Sequence, residues 1–120
     1  DIDYINAHGT STKLNDTAET AAIKKVFGDH AYRLSVSSSK SIIGHLLAAS
    51  GAAEFVLTTL SVNRDEIHPT INLKHADPKC DLDYVPNIKK QMTVRAALSN
   101  SFGFGGQNAT VIIKKYKEDA

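Results

Sequence analysis

A chain of 120 residues suits one domain with its own apolar core and is too short for two ordinary ones. Fourteen Lys and Arg against thirteen Asp and Glu leave a net charge of +1, so no broad basic face marks a nucleic-acid partner. The single cysteine, Cys80, excludes an internal disulfide framework and a cysteine-based metal clip, which fits a reducing compartment.

No signal-peptide pattern opens the chain, and Asp1-Ile2-Asp3-Tyr4-Ile5 already reads as a strand, as though cut from something longer. Residues 2–7 predict a strand running into the polar loop His8-Gly9-Thr10-Ser11-Thr12. Asp16-Thr17-Ala18-Glu19 has the form of a capping box, with Asp16 as N-cap and Glu19 reaching back. The helix it opens, over 16–27, carries Ala18, Ala22, Ile23, Val26 and Phe27 on one side, and Gly28 suits its end. A short strand over 33–37 comes next. From Gly44 to Val62 the chain is apolar on nearly every side, which predicts a helix buried all round. Small residues crowd its first half, so other backbone is expected to approach closely there. The segment nears membrane-spanning length, but His45, Ser50, Glu54 and its glycines argue against lipid.

This βαβα order implies an α/β fold with a parallel sheet covered by helices. Asn63 to Gln91 holds all three prolines and no sustained period, and reads as a long ordered excursion with a brief strand near 82–85. Strand-like runs over 94–100 and 108–115 flank the glycine-rich stretch 101–107 and predict a closing antiparallel hairpin. Residues 114–120 read as a solvated tail.

Three polar clusters stand out, at 8–12, 37–45 and 100–107. The first two follow predicted parallel strands, so they should converge beyond the same sheet edge. A lone histidine is more often structural than functional, but His8 sits directly after a strand and ahead of Gly-Thr-Ser-Thr. His45 falls at the predicted N-terminus of the buried helix, where the dipole disfavours imidazolium. Two neutral histidines with converging N–H groups would bind a developing oxyanion, an enolate above all. Zinc would need a third ligand, and His30, His68 and His75 fall in surface-like contexts. Lys40, between a strand and a buried helix, is hard to expose, and Asp16 and Glu19 are its natural partners. Glu54, in mid-helix, must be protonated, salt-bridged or bound to a cation. Phe102 and Phe104 among the glycines suit a moveable wall over an apolar pocket.

These motifs carry a family resemblance. Asn6-Ala7-His8-Gly9-Thr10-Ser11-Thr12 with Asn15-Asp16, Ser39-Lys40-Ser41 with Gly44-His45, and Asn100-Ser101-Phe102-Gly103-Phe104-Gly105-Gly106 resemble the β-ketoacyl-acyl-carrier-protein synthases. Pro69-Thr70-Ile71-Asn72 and Cys80-Asp81-Leu82-Asp83-Tyr84-Val85-Pro86 extend the likeness over essentially the whole chain. The resemblance implies the C-terminal part of a thiolase-like fold: a mixed sheet with a βαβα start, a buried helix and a C-terminal hairpin. It also implies a decarboxylative Claisen condensation, an acyltransferase step of fatty-acid biosynthesis, with malonyl- and acyl-loaded acyl carrier protein as partner.

By the same resemblance, His8 and His45 hydrogen-bond the malonyl thioester oxygen, and Lys40 is an electrostatic organiser with Asp16 and Glu19. Phe104 supplies an oxyanion-hole N–H and a gating ring, Phe102 lies beside the substrate, and Thr10 and Thr12 contact the phosphopantetheine arm. Asn6, Glu54, Ser99 and Asn100 match a structural Na⁺ or K⁺ site of some members, and no other cofactor is required. The nucleophilic cysteine belongs to an N-terminal half missing from these residues, and Cys80 matches a non-catalytic position. Alone, the chain is expected to be inactive in condensation. The full-length protein is expected to be a homodimer, cytoplasmic in a bacterium or otherwise in a plastid or mitochondrion, with no nucleic-acid or membrane partner. The alternative is a non-catalytic chain-length-factor-like subunit or carrier-binding module, against which the retention of His8, His45 and Lys40 speaks.

Overall fold

The computed structural model describes residues 1–116. Its main sheet has four strands in the order β2-β1-β5-β6, where β1 is Tyr4–Asn6, β2 Ser35–Ser37, β5 Ala96–Phe102 and β6 Asn108–Lys114. Strand β1 pairs in parallel with both β2 and β5, and β5 turns back antiparallel onto β6. A two-stranded antiparallel ribbon, β3 (Glu66–Ile67) and β4 (Lys90–Gln91), stands apart. The α/β reading with a closing hairpin therefore holds. Because β1, β2 and β5 all run the same way, their C-terminal loops emerge at one edge.

Side chains alternate across the sheet, as the strand period requires. Ile5, Val36 and Leu98 face helix α1 (Lys13–Phe27) and form one buried cluster with Ile23, Ala31 and Leu34. Tyr4 and Ala97 face the other way and pack with Val62, Ile67, Val85 and Val94. A glycine at position 28 ends α1, with φ +53°.

The predicted helix starts differ from those found. Helix α1 opens at Lys13 with Thr12 as N-cap, its hydroxyl accepting the Asn15 N–H at 3.3 Å. Asp16 is not the cap; its Oδ1 accepts the Ser11 N–H at 3.1 Å, and Glu19 reaches past it to His8 and Gly9. The long apolar segment also breaks. Helix α2 (Lys40–Ile43) stops at Gly44, a 3₁₀ turn covers Leu47–Ala49, and helix α3 runs Ser50–Arg64. His45 thus lies in the break ahead of α3, not at the N-terminus of one continuous buried helix.

Nor is α3 buried all round. Its buried seam is Ser50, Glu54, Thr58, Ser61 and Val62, at helical spacing, while Phe55, Val56 and Leu60 are exposed. Hydroxyls and one carboxylate face the sheet because Asn6 meets them: its Nδ2 donates to the Glu54 carbonyl at 3.3 Å and to Thr58 Oγ1 at 3.2 Å. The apolar face has no cover among the described residues.

The proline-bearing excursion is ordered by contacts with the rest of the fold. Tyr84 and Thr20 share a 2.5 Å hydrogen bond, Lys24 pairs with Asp81, and the Ile71 N–H donates to Ser41 Oγ at 3.0 Å. The strand expected near 82–85 reduces to a single bridge between Ser35 and Asp83. Part of the expected solvated tail is fastened, since Lys115 Nζ reaches Asp65 Oδ2 at 2.6 Å; residues 117–120 lie outside the described residues. No helix among the described residues is long and apolar enough to cross a membrane.

Two substitutions test this architecture. Gly9 has φ +41°, and a Cβ there would stand 2.5 Å from the Ser38 Cβ. Gly9→Ala should cost about 2–4 kcal/mol, from backbone strain and overpacking together, read as a lowered urea midpoint of the intact protein. Glu54→Ala alone should cost about 3–5 kcal/mol by leaving the Lys40 ammonium buried and unpaired, whereas Lys40→Met with Glu54→Leu should cost much less.

Candidate functional site

Three loops meet beyond the C-terminal edge of the parallel strands, and one carboxylate ties two of them down. Glu19, buried on α1, accepts the backbone N–H groups of His8 and Gly9, each at 3.0 Å. Its Oε1 also accepts from Asn100 Nδ2 of β5 at 3.1 Å. Hydrogen bonds to an ionised acceptor are the strong kind, so the His8 loop is set on a rigid seat. The loop after β2 closes against it, with Ser38 Oγ donating to the Gly9 carbonyl at 2.8 Å.

On that seat the two candidate histidines come together. The rings of His8 and His45 lie 5.6 Å apart, edge to face, and Phe102 sits 5.4 Å from His8. The Leu47 N–H donates to His45 Nδ1 at 3.1 Å, and Ser50 Oγ lies 2.9 Å from the same nitrogen. An acceptor at Nδ1 puts the proton of the neutral ring on Nε2. His8 Nδ1 is buried without a partner. A bare lone pair is the cheaper orphan, so the neutral His8 ring also carries its proton on Nε2. Burial, and then the Lys40 ammonium and the neighbouring His45, hold His8 down to about 4 from the ordinary 6.5, with Asp16 opposing them. At neutral pH His8 is therefore an uncharged N–H donor.

Lys40 is buried as expected, but its partner is Glu54, across the break between α2 and α3, not Asp16 or Glu19. Asp16 serves the Ser11 turn and Glu19 the His8 loop, and neither makes a salt bridge among the described residues. The pair answers what Glu54 does, and it counts against a monovalent cation. Glu54 Oε1 holds Lys40, Asn6 Oδ1 lies 3.4 Å from the Ser39 N–H and hydroxyl, and Asn100 Oδ1 accepts from Thr110. Of the side chains expected to ligate it, only Glu54 Oε2 is a buried oxygen without a partner, and one free donor does not make a cation site. The side chains of Asn6, Glu54 and Asn100 as arranged do not fit the ion.

Thr10 and Thr12 lie with their hydroxyls 3.1 Å apart, both exposed, on a cleft of about 880 Å³ that also takes in Gly9, Lys40 and Thr70. Phe104 is fully exposed in the turn Phe104–Gly106, so within this chain Phe102, not Phe104, packs against His8. Cys80 lines the same cleft but has no histidine partner. Ser50 and the Leu47 N–H, which orient His45, escape sequence reasoning because the helix break that positions them has no proline to announce it. His68, expected at the surface, is half-buried against Tyr4.

Comparison with known proteins shows the family and the fold. Residues 1–74 match the family model described as the beta-ketoacyl synthase C-terminal domain. The chain is 56% identical to a 3-oxoacyl-[acyl-carrier-protein] synthase 2 of Synechocystis sp., covering 97% of this chain and 28% of that protein. It is 48% identical to nodulation protein E of Rhizobium meliloti, covering 96% and 29%. Among solved structures, a type II polyketide ketosynthase in complex with its acyl-carrier protein superposes with a TM-score of 0.93 at 42% identity, over 96% of this chain and 28% of that one. The ishigamide ketosynthase/chain length factor superposes with a TM-score of 0.92 at 41% identity, over 97% and 28%. The chain thus spans little more than a quarter of the relatives it matches. With its thiolase-like arrangement of sheet, helices and hairpin, it belongs to the beta-ketoacyl synthase family, within the C-terminal domain.

Proposed function

We propose that this chain supplies the enolate-stabilising part of a decarboxylative condensing enzyme. The observation that carries it is the convergence of His8 and His45, each with a free Nε2–H, beside the Lys40 cation. A malonyl thioester bound with its carbonyl oxygen between the two N–H groups loses carbon dioxide. The electrons of the broken C–C bond become an enolate, whose oxyanion those donors hold. The enolate carbon then attacks an acyl thioester, and the thiolate leaves. The acyl-bearing cysteine comes from residues outside this chain, so the chain alone does not condense. Burial first, and then Lys40 fixed by Glu54, penalise a proton on His8 and so keep that ring a neutral donor.

The exposed hydroxyls of Thr10 and Thr12 on the cleft suit the amides of a phosphopantetheine arm delivered by acyl carrier protein. Identity to a 3-oxoacyl-[acyl-carrier-protein] synthase 2 supports a place in fatty-acid synthesis. A catalytic role is favoured over a chain-length-factor-like one because both histidines and the lysine are in register. The family likeness alone supports a cytoplasmic homodimer.

His8→Ala and His45→Ala, made in the full-length protein, should each lower carbon dioxide release from malonyl-carrier protein by about 10²- to 10³-fold. Retention of near-normal release in both would rule out the proposed roles. His8 also links to stability. Its folded pKa lies below its unfolded one, so its contribution is complete above pH 6.5 and is lost as pH falls to about 4. Urea midpoints should fall through that window, and His8→Asn should remove that part of the slope.

A further inference from the structure

Behind the site, on the α3 face of the sheet, lies a polar cluster that the mechanism above does not use. Tyr4 is fully buried, and its hydroxyl lies 2.8 Å from Ser37 Oγ and 2.9 Å from His68 Nε2. Ser37 Oγ is in turn 3.3 Å from His68 Nδ1, which also lies 3.4 Å from the Pro69 carbonyl. Ser37 is buried, so the cluster offers no nucleophile. What it touches is the support of the Lys40–Glu54 pair. Ser37 ends β2, three residues before Lys40. Tyr4 and Asn6 share one face of β1, and Asn6 fastens Glu54 and Thr58. Glu54 Oε2 lacks a partner, so that carboxylate responds to whatever dipoles surround it.

We propose that His68 is a positioning residue for the Lys40–Glu54 pair, acting through the Tyr4 hydroxyl; this rests on the function proposed above. With His68 neutral, one consistent set of donors closes the cluster. Tyr4 O–H donates to Nε2, Nδ1–H donates towards Ser37 and Pro69, and Ser37 O–H donates to Tyr4. A proton added to His68 makes both ring nitrogens donors. Tyr4 must then give up its donation to Nε2, and its O–H turns away from the ring. The reversed dipole lies on the same face as Glu54, whose charge, after burial itself, helps raise the Tyr4 pKa. A change at His68 thereby reaches the carboxylate that holds Lys40.

His68 has its own route to solvent, an open pocket of about 130 Å³ lined with Leu57, Leu60, Ser61, Arg64 and Glu66. The charged groups facing it are Arg64 from α3 and Glu66 from β3, with Tyr4 from β1 the titratable group on its inner side. Glu66 Oε2 already accepts from Lys89 at 2.7 Å and Gln91 at 2.6 Å. Burial holds His68 below the ordinary 6.5, so the ring is neutral at neutral pH and gains its proton on acidification.

The test is malonyl-carrier decarboxylation by the full-length protein across pH, for wild type, His68→Phe, His68→Gln and Tyr4→Phe. His68→Phe should lower kcat by about three- to tenfold with KM little changed, and His68→Gln, whose amide both accepts and donates, should recover most of it. The acid limb that His68 contributes below pH 6.5 should vanish in His68→Gln. Tyr4→Phe should reproduce the kcat loss, and combining it with His68→Phe should add little. If the Tyr4 variant fails to fold, the His68→Gln pH profile decides alone. Profiles of both His68 variants that superimpose on an active wild type would overturn the positioning role. A wild type without decarboxylation would instead overturn the proposed function and this inference with it.

Discussion

The fold depends at its working edge on the Glu19 carboxylate. Two backbone N–H groups, of His8 and Gly9, and the Asn100 amide all donate to one buried carboxylate on α1. A polar loop leaving the end of a buried strand would otherwise carry unpaired N–H groups into the interior. Glu19 satisfies them and in the same stroke couples α1, the β1 loop and β5. The Gly9 approach to Ser38 adds β2. Everything that presents His8 follows from this clamp.

Charge is the second constraint. Lys40 and Glu54 are both buried and neutralise one another, which is how a lysine survives between a strand and a helix. The pair leaves a fixed cation beside His8, and that cation, added to burial, disfavours imidazolium. His45 reaches a defined tautomer by another route, through a backbone N–H in the turn before α3. Electrostatics tune one ring and geometry the other. The polar seam of α3 belongs to the same scheme, because Asn6 needs hydroxyl and carbonyl partners where an ordinary helix would offer Leu.

Much of this was legible in the residues. The strand-loop-helix order, the closing hairpin, the Gly28 stop and the pairing of the 8–12 and 37–45 clusters at one edge all follow from periodicity and turn chemistry. Helix starts were less legible. Asp16 with Glu19 has the form of a cap, but the helix is capped at Thr12 because Glu19 is required by the His8 loop. The break before Ser50 was hidden because small and apolar residues continue across it.

By itself the sequence determined the order of the main elements and the chemical inventory: two histidines, a lysine, a glycine-rich loop and a family likeness that the comparisons bear out. Those depend on local spacing and residue type. Tertiary structure alone decided the partners. Lys40 and Glu54 stand fourteen positions apart across a helix break, and Glu19 and Asn100 eighty-one positions apart, separations that no local period encodes. It also decided that α3 turns polar groups inward and that His68 belongs to a buried cluster, because what a side chain must satisfy is set by the neighbour it meets.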